Sequence, residues 1–386
     1  MRSECITLRK IVITAGFVLA VAVFAGCAFK SVNSGTSETV TETTELTVPT
    51  TVASETIPEE TVTTPVPTEE PEATDTPAPT EEPTATPTPK SVKVTFVGDC
   101  TLCSDARYTS RFDKVVKNRW DYPFKNCKSI FKKDDLTLAN CEMAITNSKA
   151  YRKKKFVFAM KPAGIAMFTR SGIEAVNLAN NHTMDFGKKG YKDTQKNLNK
   201  AKILWSDCTR YSIFTAKNGV KIGMCGYTAS YKLKSIYKMI TQLREKGCQI
   251  VIVSYHSEVE GRYKPTKNQI KRTHALIDHG ADIVVGTHPH RLQPIEVYKG
   301  KYILHSLGNF CFGGNNNPSD PDTAIVQCTF VLNDEGTEVA DYRLNVIPYS
   351  IRSSGTGNDF CPKPYAFESK AYDRVMSRLD WAQGDE

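Results

Sequence analysis

Short apolar runs recur from residue 92 onward, and segments with helical spacing separate the early ones. Apolar runs that end at Gly, Pro or polar residues predict strands, whereas apolar residues repeating every three or four positions predict amphipathic helices. Asn218-Gly219 between two such strands is typical of a β-hairpin. Strands are predicted at residues 92–97, 136–139, 175–178, 211–217, 220–227, 249–253, 281–285, 293–298, 301–305, 323–332 and 338–347. Helices are predicted at residues 162–168, 190–201, 232–246, 267–279 and 367–382.

The order of these elements indicates the class of fold. Strands alternate with helices in the first part of the region and crowd together in the second part. This order predicts an α/β fold in which packed sheets form one domain, at residues 91–350. A C-terminal extension with a helix is predicted at residues 351–386.

The N-terminal residues have the pattern of an export signal. Arg9 and Lys10 precede an apolar run at residues 11–25 that is short for a membrane span. The run ends at Phe24-Ala25-Gly26-Cys27, which resembles a bacterial lipobox. We therefore predict a lipoprotein signal peptide at residues 1–26, lipidation of Cys27 and a membrane-anchored protein outside the cytoplasm. An uncleaved signal anchor is the alternative.

The segment at residues 27–90 differs in composition from the domain that follows it. It is rich in Thr, Pro and Glu and nearly lacks large apolar side chains, which predicts a disordered stalk. Residues 31–89 contain twelve acidic residues and neither Lys nor Arg, whereas the chain from residue 91 onward carries a net charge of +16. A basic domain indicates an anionic partner, although the charge could also serve solubility alone. Export and the lack of an aromatic-basic array argue against nucleic acid as that partner.

Ten of the twelve cysteines lie from residue 91 onward, at irregular spacing. An exported protein with this many cysteines would ordinarily contain disulfides. Several of them, however, stand where a buried apolar residue would serve, such as Cys225 and Cys328. This placement favours buried free thiols.

Two histidines follow a predicted buried strand in Gly286-Thr287-His288-Pro289-His290. Neutral imidazole is the commonest protein ligand for transition metals, but such a pair alone could equally be packed or exposed without function. Further chemistry-bearing side chains also follow predicted strands, namely Asp99, Glu142, Asn181, His182 and His256. Ligand-binding groups collect at the carboxyl ends of strands in α/β sheets. The set therefore predicts a divalent metal such as Mn²⁺, Fe²⁺ or Zn²⁺ and metal-assisted hydrolysis.

Six segments, in order, resemble the bacterial capsule-synthesis CapA family, whose founding members serve poly-γ-glutamate production. The segments are residues 94–99, 139–142, 177–187, 253–256, 280–290 and 306–310. That family in turn resembles the calcineurin-like metallophosphoesterases. The resemblance implies a four-layer α/β/β/α sandwich of metallophosphoesterase type that holds one or two divalent ions.

The resemblance also implies roles for residues at matching positions. The implied metal ligands are Asp99, Glu142, Asn181, His256, His288 and His290, and the implied general acid over the leaving group is His182. Glu142 lies where a bridging carboxylate is expected. The family pattern Asp-x-His would need histidine at position 101, where this chain has Thr101. One of the two metal positions is therefore expected to be weaker or absent.

Other polar residues near these motifs are expected to support the site. Asn140 precedes Glu142 in a matching segment, Asp185 is expected to brace the Asn-His loop, and Asn309 either lines the cleft or shapes a turn. Three further histidines are expected to have structural roles: His274, His279 and His305.

Two functions are compatible with these features. The first is a surface-anchored, metal-dependent hydrolase of phosphoesterase type in the biosynthesis of a capsule or exopolymer of poly-γ-glutamate type. The second is a non-catalytic scaffold or binding subunit for an anionic capsule or wall polymer. The basic run at residues 152–155 is either a solvated loop or a docking strip for that polymer. Expected partners are the polymer, the membrane through the lipid anchor, and other capsule-synthesis proteins.

Overall fold

A computed structural model describes residues 89–355 and 357–381. The predicted signal peptide at residues 1–26, the predicted lipidation site Cys27 and nearly all of the predicted stalk at residues 27–90 lie outside the described residues. None of the helices in the described part of the chain is both long and apolar enough to cross a membrane.

Most of the strands belong to two large sheets. In chain order the strands are β1 (Ser91–Thr101), β2 (Leu136–Cys141), β3 (Ala144–Ile145), β4 (Ala159–Met160), β5 (Ala175–Asn177), β6 (Leu204–Ser206), β7 (Ser212–Thr215), β8 (Lys221–Tyr227), β9 (Ile250–His256), β10 (Ile283–Thr287), β11 (Leu292–Tyr298), β12 (Lys301–Leu307), β13 (Asn309–Phe312), β14 (Asp322–Leu332), β15 (Val339–Ser350) and β16 (Lys363–Pro364). The first sheet has the order β16-β15-β14-β1-β2-β5-β6, and β13 also pairs with β1. The second sheet has the order β11-β12-β10-β9-β8-β7.

Parallel pairing lies at the centre of both sheets and antiparallel pairing at their sides. Strands β1, β2, β5 and β6 run parallel to one another, as do β8, β9, β10 and β12. Strands β3 and β4 form a separate two-stranded ribbon. Because parallel strands end at the same edge of their sheet, the polar residues that follow them are brought to one side.

All of the helices except the last lie on the outer faces of the two sheets. They are α1 (Arg111–Val116), α2 (Lys128–Phe131), α3 (Ala166–Thr169), α4 (Gly187–Lys200), α5 (Leu233–Glu245), α6 (Lys267–Asp278) and α7 (Lys370–Leu379), and a 3-10 helix at Pro162–Ile165 precedes α3. Thr266 caps α6, since its side chain accepts a hydrogen bond from the backbone N–H of Gln269 at 3.0 Å.

Three apolar clusters define the layers. Between the sheets, Phe96 and Leu138 of the first sheet pack in one cluster with Ile252 and Leu304 of the second. The outer face of the first sheet packs on α1 to α4, and the outer face of the second packs on α5 and α6. The predicted four-layer α/β/β/α arrangement is confirmed.

The residues after β15 pack on the same domain. Phe360 and Cys361 are fully buried, and Val375 and Leu379 of α7 join the cluster between the sheets. The ten described cysteines are all buried and none forms a disulfide with another of them.

Some element predictions were wrong in detail. The first strand does not break at Gly98 but continues to Thr101, with a shift in register on either side of Asp99. The predicted helix at residues 162–168 is a 3-10 turn followed by one turn of α-helix. Seven short elements that the pattern did not indicate are α1, α2, β3, β4, β6, β13 and β16.

Candidate metal centre

The chemistry-bearing residues meet where the two sheets adjoin. Asp99 lies near the end of β1 and Glu142 directly follows β2, both in the first sheet. His256 ends β9, and His288 and His290 follow β10, both in the second sheet. The geometry therefore brings together side chains that are far apart in sequence, such as those of His290 and Asp99.

Asp99 is fully buried and held by three neighbours. Its Oδ1 accepts a hydrogen bond from Asn140 Nδ2 at 2.7 Å, and its Oδ2 lies 3.1 Å from His290 Nδ1. The backbone N–H of Asp99 donates to Gly308 O at 2.9 Å. A Cβ on Gly98 would lie only 2.0 Å from that same carbonyl oxygen, so glycine is required for this close approach.

Asn140 connects the ligands to the loop after β5. Its Nδ2 contacts His256 Nδ1 at 3.1 Å in addition to Asp99. Its Oδ1 accepts hydrogen bonds from Asn177 Nδ2 at 2.9 Å and from Asn180 Nδ2 at 3.2 Å. Asn140 therefore orients candidate ligands from both sheets.

Glu142 is fully buried, and one of its oxygens is unsatisfied. Thr101 Oγ1 lies 3.4 Å from Glu142 Oε2, a weak hydrogen bond. Within the described residues, Glu142 Oε1 has no hydrogen-bond partner, although His256 Nε2 lies 3.4 Å away. A buried carboxylate oxygen without a donor is costly unless another positive group approaches it.

His256 faces the loop after β5. Its Nε2 lies 2.9 Å from Asn181 Oδ1, and its Nδ1 lies 2.8 Å from Thr287 Oγ1. Asn181 is otherwise exposed to solvent. Asn181 Oδ1, His256 Nε2 and Glu142 Oε1 are thus close enough together to face one ion.

His288 and His290 both adopt left-handed backbone conformations, with φ of 97° and 55°. Such values are unfavourable for residues with a Cβ, and strain of this kind is often found at functional sites. His290 Nδ1 lies 2.9 Å from Asn309 Oδ1, so Asn309 lines the site. His288 Nδ1 is buried and, among the described residues, has no hydrogen-bond partner.

Two groups of side chains have the spacing of a metal site. One comprises Glu142, His256 and His288, and the other comprises Asp99, Glu142 and His290; in each group the ligand atoms lie within 4.8 Å of one another. Glu142 belongs to both groups, as a carboxylate that bridges two ions would. The unsatisfied Glu142 Oε1 and His288 Nδ1 lie in the same group, and this set of oxygen and nitrogen donors fits a divalent cation.

Burial and charge divide the imidazoles into two kinds. Burial lowers the pKa of His256 to about 3, and burial with the adjacent imidazole lowers the pKa of His288 to about 4, so both rings are neutral. Burial opposes the charge on His290, but the Glu142 and Asp99 carboxylates outweigh it and raise the pKa of His290 to about 9.

The two carboxyl groups also differ. Burial and the charge of Asp99 raise the pKa of Glu142 to about 7. Burial would raise the pKa of Asp99 as well, but the hydrogen bond from His290 and the nearby imidazoles hold it below its ordinary value. Without an ion, the positive charge that balances Asp99 comes from His290.

His182 adjoins the ligands and is oriented by its own partners. Its Nδ1 lies 2.7 Å from Asp185 Oδ2, and its ring packs on Phe158 with centroids 4.6 Å apart. Asp185 is fully buried and its Oδ1 pairs with Lys154 Nζ at 2.6 Å. Lys154 Nζ also donates to Asn181 O at 2.8 Å. Asp185 therefore braces the Asn-His loop and is not a member of either ligand group.

An open cavity of about 440 Å³ adjoins the second-sheet side of this centre. Asn181, His256 and His288 line one part of it, and Thr228 and Arg272 line another. The cavity gives the candidate centre access to solvent and space for a bound molecule.

Sequence reasoning missed several residues of the site. Lys154 lies in a basic run that resembles a solvated loop, and Thr287 is the last residue of β10, next to the histidine pair. Asn177 and Asn180 precede the recognised Asn-His pair, and a cluster of amides at a strand end was the signal that could have indicated them. Thr101, at the position where the family pattern has histidine, contacts Glu142 instead of supplying a ring nitrogen.

The remaining histidines lie outside this centre. His274 Nε2 and His305 Nε2 bind the two oxygens of Glu296, at 2.6 Å and 2.9 Å. His279 is exposed and stacks on Tyr237 with ring centroids 3.5 Å apart. These contacts are structural.

Comparison with known proteins gives one family and several relatives. The profile of the family described as "Bacterial capsule synthesis protein PGA_cap" matches residues 93–314. The capsule biosynthesis protein CapA of Bacillus anthracis is 30% identical over 306 residues, which cover 71% of this chain and 70% of that protein. The PGA biosynthesis protein CapA of Bacillus subtilis is 30% identical over 288 residues, which cover 68% of this chain and 72% of that protein. Among solved structures, a phosphatase of Mycoplasma pneumoniae aligns with 67% of this chain and 94% of its own, at 17% identity and a TM-score of 0.42.

Proposed function

Because this chain belongs to the bacterial capsule synthesis protein PGA_cap family, we propose that it acts in the biosynthesis of a capsule polymer of poly-γ-glutamate type, as a metal-dependent hydrolase of phosphoesterase type. The observation that carries the hydrolase proposal is the pair of ligand groups that share Glu142, next to a histidine that is not in either group. A purely structural metal site would not need that additional histidine.

The donors divide between two candidate ions. Asp99, Glu142 and His290 would hold one ion, and Glu142, Asn181, His256 and His288 would hold the other. A divalent ion bound here supplies positive charge to a phosphoryl oxygen and lowers the pKa of water. Thr101 in place of a further imidazole leaves the first group with three ligands, so we expect that ion to bind more weakly.

His182 would hold and deliver a proton through its Nε2 atom. Asp185 Oδ2 accepts the hydrogen bond from His182 Nδ1–H, and this fixes the tautomer and the ring orientation. Phe158 packs against the ring and limits the access of water on that side. A positioned imidazole of this kind can protonate the leaving oxygen when an ester bond breaks.

A non-catalytic binding role is the alternative. The pairing of His182 with Asp185 favours the hydrolase, because a scaffold would gain nothing from an oriented imidazole beside a metal centre. The cavity beside His256 and His288 also favours a role in which a substrate enters.

The proposed location is the outer face of the cytoplasmic membrane. The export signal and the lipobox-like Phe24-Ala25-Gly26-Cys27 support a lipid anchor at Cys27. The proposed partners are an anionic capsule or wall polymer, the membrane and other capsule-synthesis proteins, and the net charge of +16 from residue 91 onward supports an anionic polymer.

The proposal can be tested with the full chain. Bound metal would be measured after dialysis, together with hydrolysis of bis(p-nitrophenyl) phosphate with added Mn²⁺, Fe²⁺ or Zn²⁺. His182→Ala should keep its metal and lose about 10²- to 10⁴-fold in rate, since that is the usual contribution of a general acid. His279→Ala is the matched control, because it removes an exposed histidine outside the centre, and it should keep both the metal and the rate.

Two results would contradict the proposal. If the wild-type chain binds no divalent ion and hydrolyses no phosphoester, the proposal that it is a metal-dependent hydrolase is refuted. If His182→Ala and the wild type have equal hydrolysis rates and equal metal content, the proposed role of His182 as a proton donor is refuted.

A further inference from the structure

A basic and aromatic surface lies at the edge of the His182 side of the centre. We name it the rim strip, and it consists of Tyr108, Tyr151, Arg152, Lys153, Lys155 and Phe156. Tyr108, Tyr151 and Phe156 are among the most exposed large apolar side chains of the described residues, at 70%, 51% and 44%. The three cationic residues are also exposed.

The loop that carries this strip is held to the site through its backbone. Lys154 points inward to Asp185, whereas Lys153 and Lys155 on either side of it are exposed. This alternation is expected of an extended segment. Arg152 N donates to Asp185 O at 2.7 Å, so the loop is fastened to the same residue that orients His182.

Arg107 links Tyr108 to the loop at residues 151–156. Its guanidinium donates to the carbonyl oxygen of Lys154 at 3.1 Å and to that of Lys155, and it lies 5.3 Å from the Tyr108 ring centroid. It also pairs with Asp105 at 2.6 Å. Tyr108 and residues 151–156 therefore belong to one surface.

The positive charge of the strip is not neutralised within the described residues. The two nearby buried carboxylates, Asp105 and Asp185, are paired with Arg107 and Lys154. Among the described residues, no acidic side chain forms an ion pair with Arg152, Lys153 or Lys155. An exposed group of cations without partners attracts an anionic ligand.

Aromatic rings continue from the strip into the centre. The Phe156 and Phe158 rings are stacked with centroids 6.3 Å apart, and Phe158 contacts the His182 ring at 4.6 Å. Phe158 also contacts Phe312, which contacts His290 at 5.2 Å. The strip is thus continuous with the candidate active site.

We propose that the rim strip is the docking surface for an acidic polyamide chain of the poly-γ-glutamate type, and that it leads this chain to the His182 side of the metal centre. The inference rests on the proposed function for the role of the centre. The cations match regularly spaced carboxylates, and the exposed rings can pack on the amide planes and methylene groups between them. A polyphosphate has no comparable planar or apolar units, so the rings favour the polyamide.

Binding of fluorescently labelled poly-γ-glutamate to the full chain tests this proposal. The variant Arg152→Gln/Lys153→Gln/Lys155→Gln should bind roughly tenfold more weakly or worse, on the usual contribution of exposed ion pairs. The matched control is Lys234→Gln/Lys238→Gln/Lys246→Gln, which removes the same charge from exposed positions on and just after α5. It should bind as the wild type does. Equal losses in both variants, or no loss in the first, would overturn the proposal.

Chemical footprinting provides a second measurement that needs no variant. Bound polymer should protect Lys153 and Lys155 of the wild type from acetylation, and it should leave Lys234 and Lys238 reactive. If Lys153 and Lys155 are already protected before polymer is added, the acidic residues 31–89 occupy the strip and the proposal is overturned. Equally tight binding of an acidic polysaccharide would overturn the assignment to a polyamide.

The proposed function and this inference fail in different ways. The rim-strip variant should hydrolyse bis(p-nitrophenyl) phosphate at the wild-type rate, because a small ester does not need the strip. Loss of polymer binding with unchanged hydrolysis supports the inference. Absence of hydrolysis in both the wild type and the rim-strip variant contradicts the proposed function. In that case the difference in polymer binding between the two proteins still tests the docking proposal.

Discussion

Replacing Glu142 with glutamine would test the centre most directly. Glu142 belongs to both candidate ligand groups, and glutamine has nearly the same size. The substitution removes a buried negative charge from a position where one oxygen has no hydrogen-bond partner among the described residues. Its effects on the metal-free and the metal-loaded protein should have opposite signs.

In the metal-free protein, the buried carboxyl of Glu142 is a source of instability at high pH. Burial and Asp99 raise its pKa from 4.5 to about 7, which corresponds to at most about 3 kcal/mol at pH values above 7. Between pH 4.5 and 7 the unfolded chain has lost this proton while the folded protein keeps it. The wild type should therefore lose stability as the pH rises through this interval, and Glu142→Gln should lack that loss.

In the presence of metal, the same carboxylate should stabilise the protein. At a free Mn²⁺ concentration one hundred times the dissociation constant, the wild type should gain about 2.7 kcal/mol in the free energy of unfolding. Glu142→Gln should lose most of this gain, because both groups lose their shared charged ligand. Urea unfolding at pH 5 and pH 8, with and without Mn²⁺, measures both effects.

Glu296→Gln is the matched control for this substitution. Glu296 is also a buried carboxyl that contacts imidazoles, but it binds His274 and His305 outside the centre. This variant should respond to Mn²⁺ as the wild type does. If Glu142→Gln bound the same number of ions with the same gain in stability, the shared-ligand interpretation would be refuted.

Two further substitutions test the residues that position the site. Lys154→Met should lower the hydrolysis rate about tenfold at unchanged metal content, because it removes the ion pair with Asp185, which orients His182. An unchanged rate in a steady-state assay would contradict this prediction. Gly286→Ala should destabilise the fold by about 3 kcal/mol or more in urea unfolding, since a Cβ there would lie 1.9 Å from His305 O. Gly355→Ala, with no atom within 4 Å of the added Cβ, should be neutral, and a similar loss there would show that the contact is not the cause.

The sequence pattern was sufficient for the strands that carry the second-sheet histidines. Strands β9 and β10 are buried on both faces, and such parallel strands appear in the sequence as continuous apolar runs. The positions of His256, His288 and His290 at or after their ends followed directly. The layering was also predictable once strands and helices were seen to alternate.

The pattern failed where side-chain chemistry and backbone geometry depart from regular periodicity. Strand β1 continues past Asp99 because β13 pairs with its end, and that pairing involves residues more than 200 positions apart. Lys154 looks like one of several solvated cations, and only the folded loop distinguishes it from Lys153 and Lys155. The left-handed conformations of His288 and His290 are not indicated by any local pattern, since residues other than glycine do not ordinarily adopt them.

The division of the centre between two sheets has a consequence for the order of assembly. Asp99 and Glu142 are supplied early in the chain, whereas His288 and His290 come from the second sheet, after most of the domain has been synthesised. A partly folded chain can offer only half of the donors, so tight capture of a cation must wait until both sheets have closed on each other. The bound cation would then link the two sheets through ligands from both. Its presence would indicate that folding is complete.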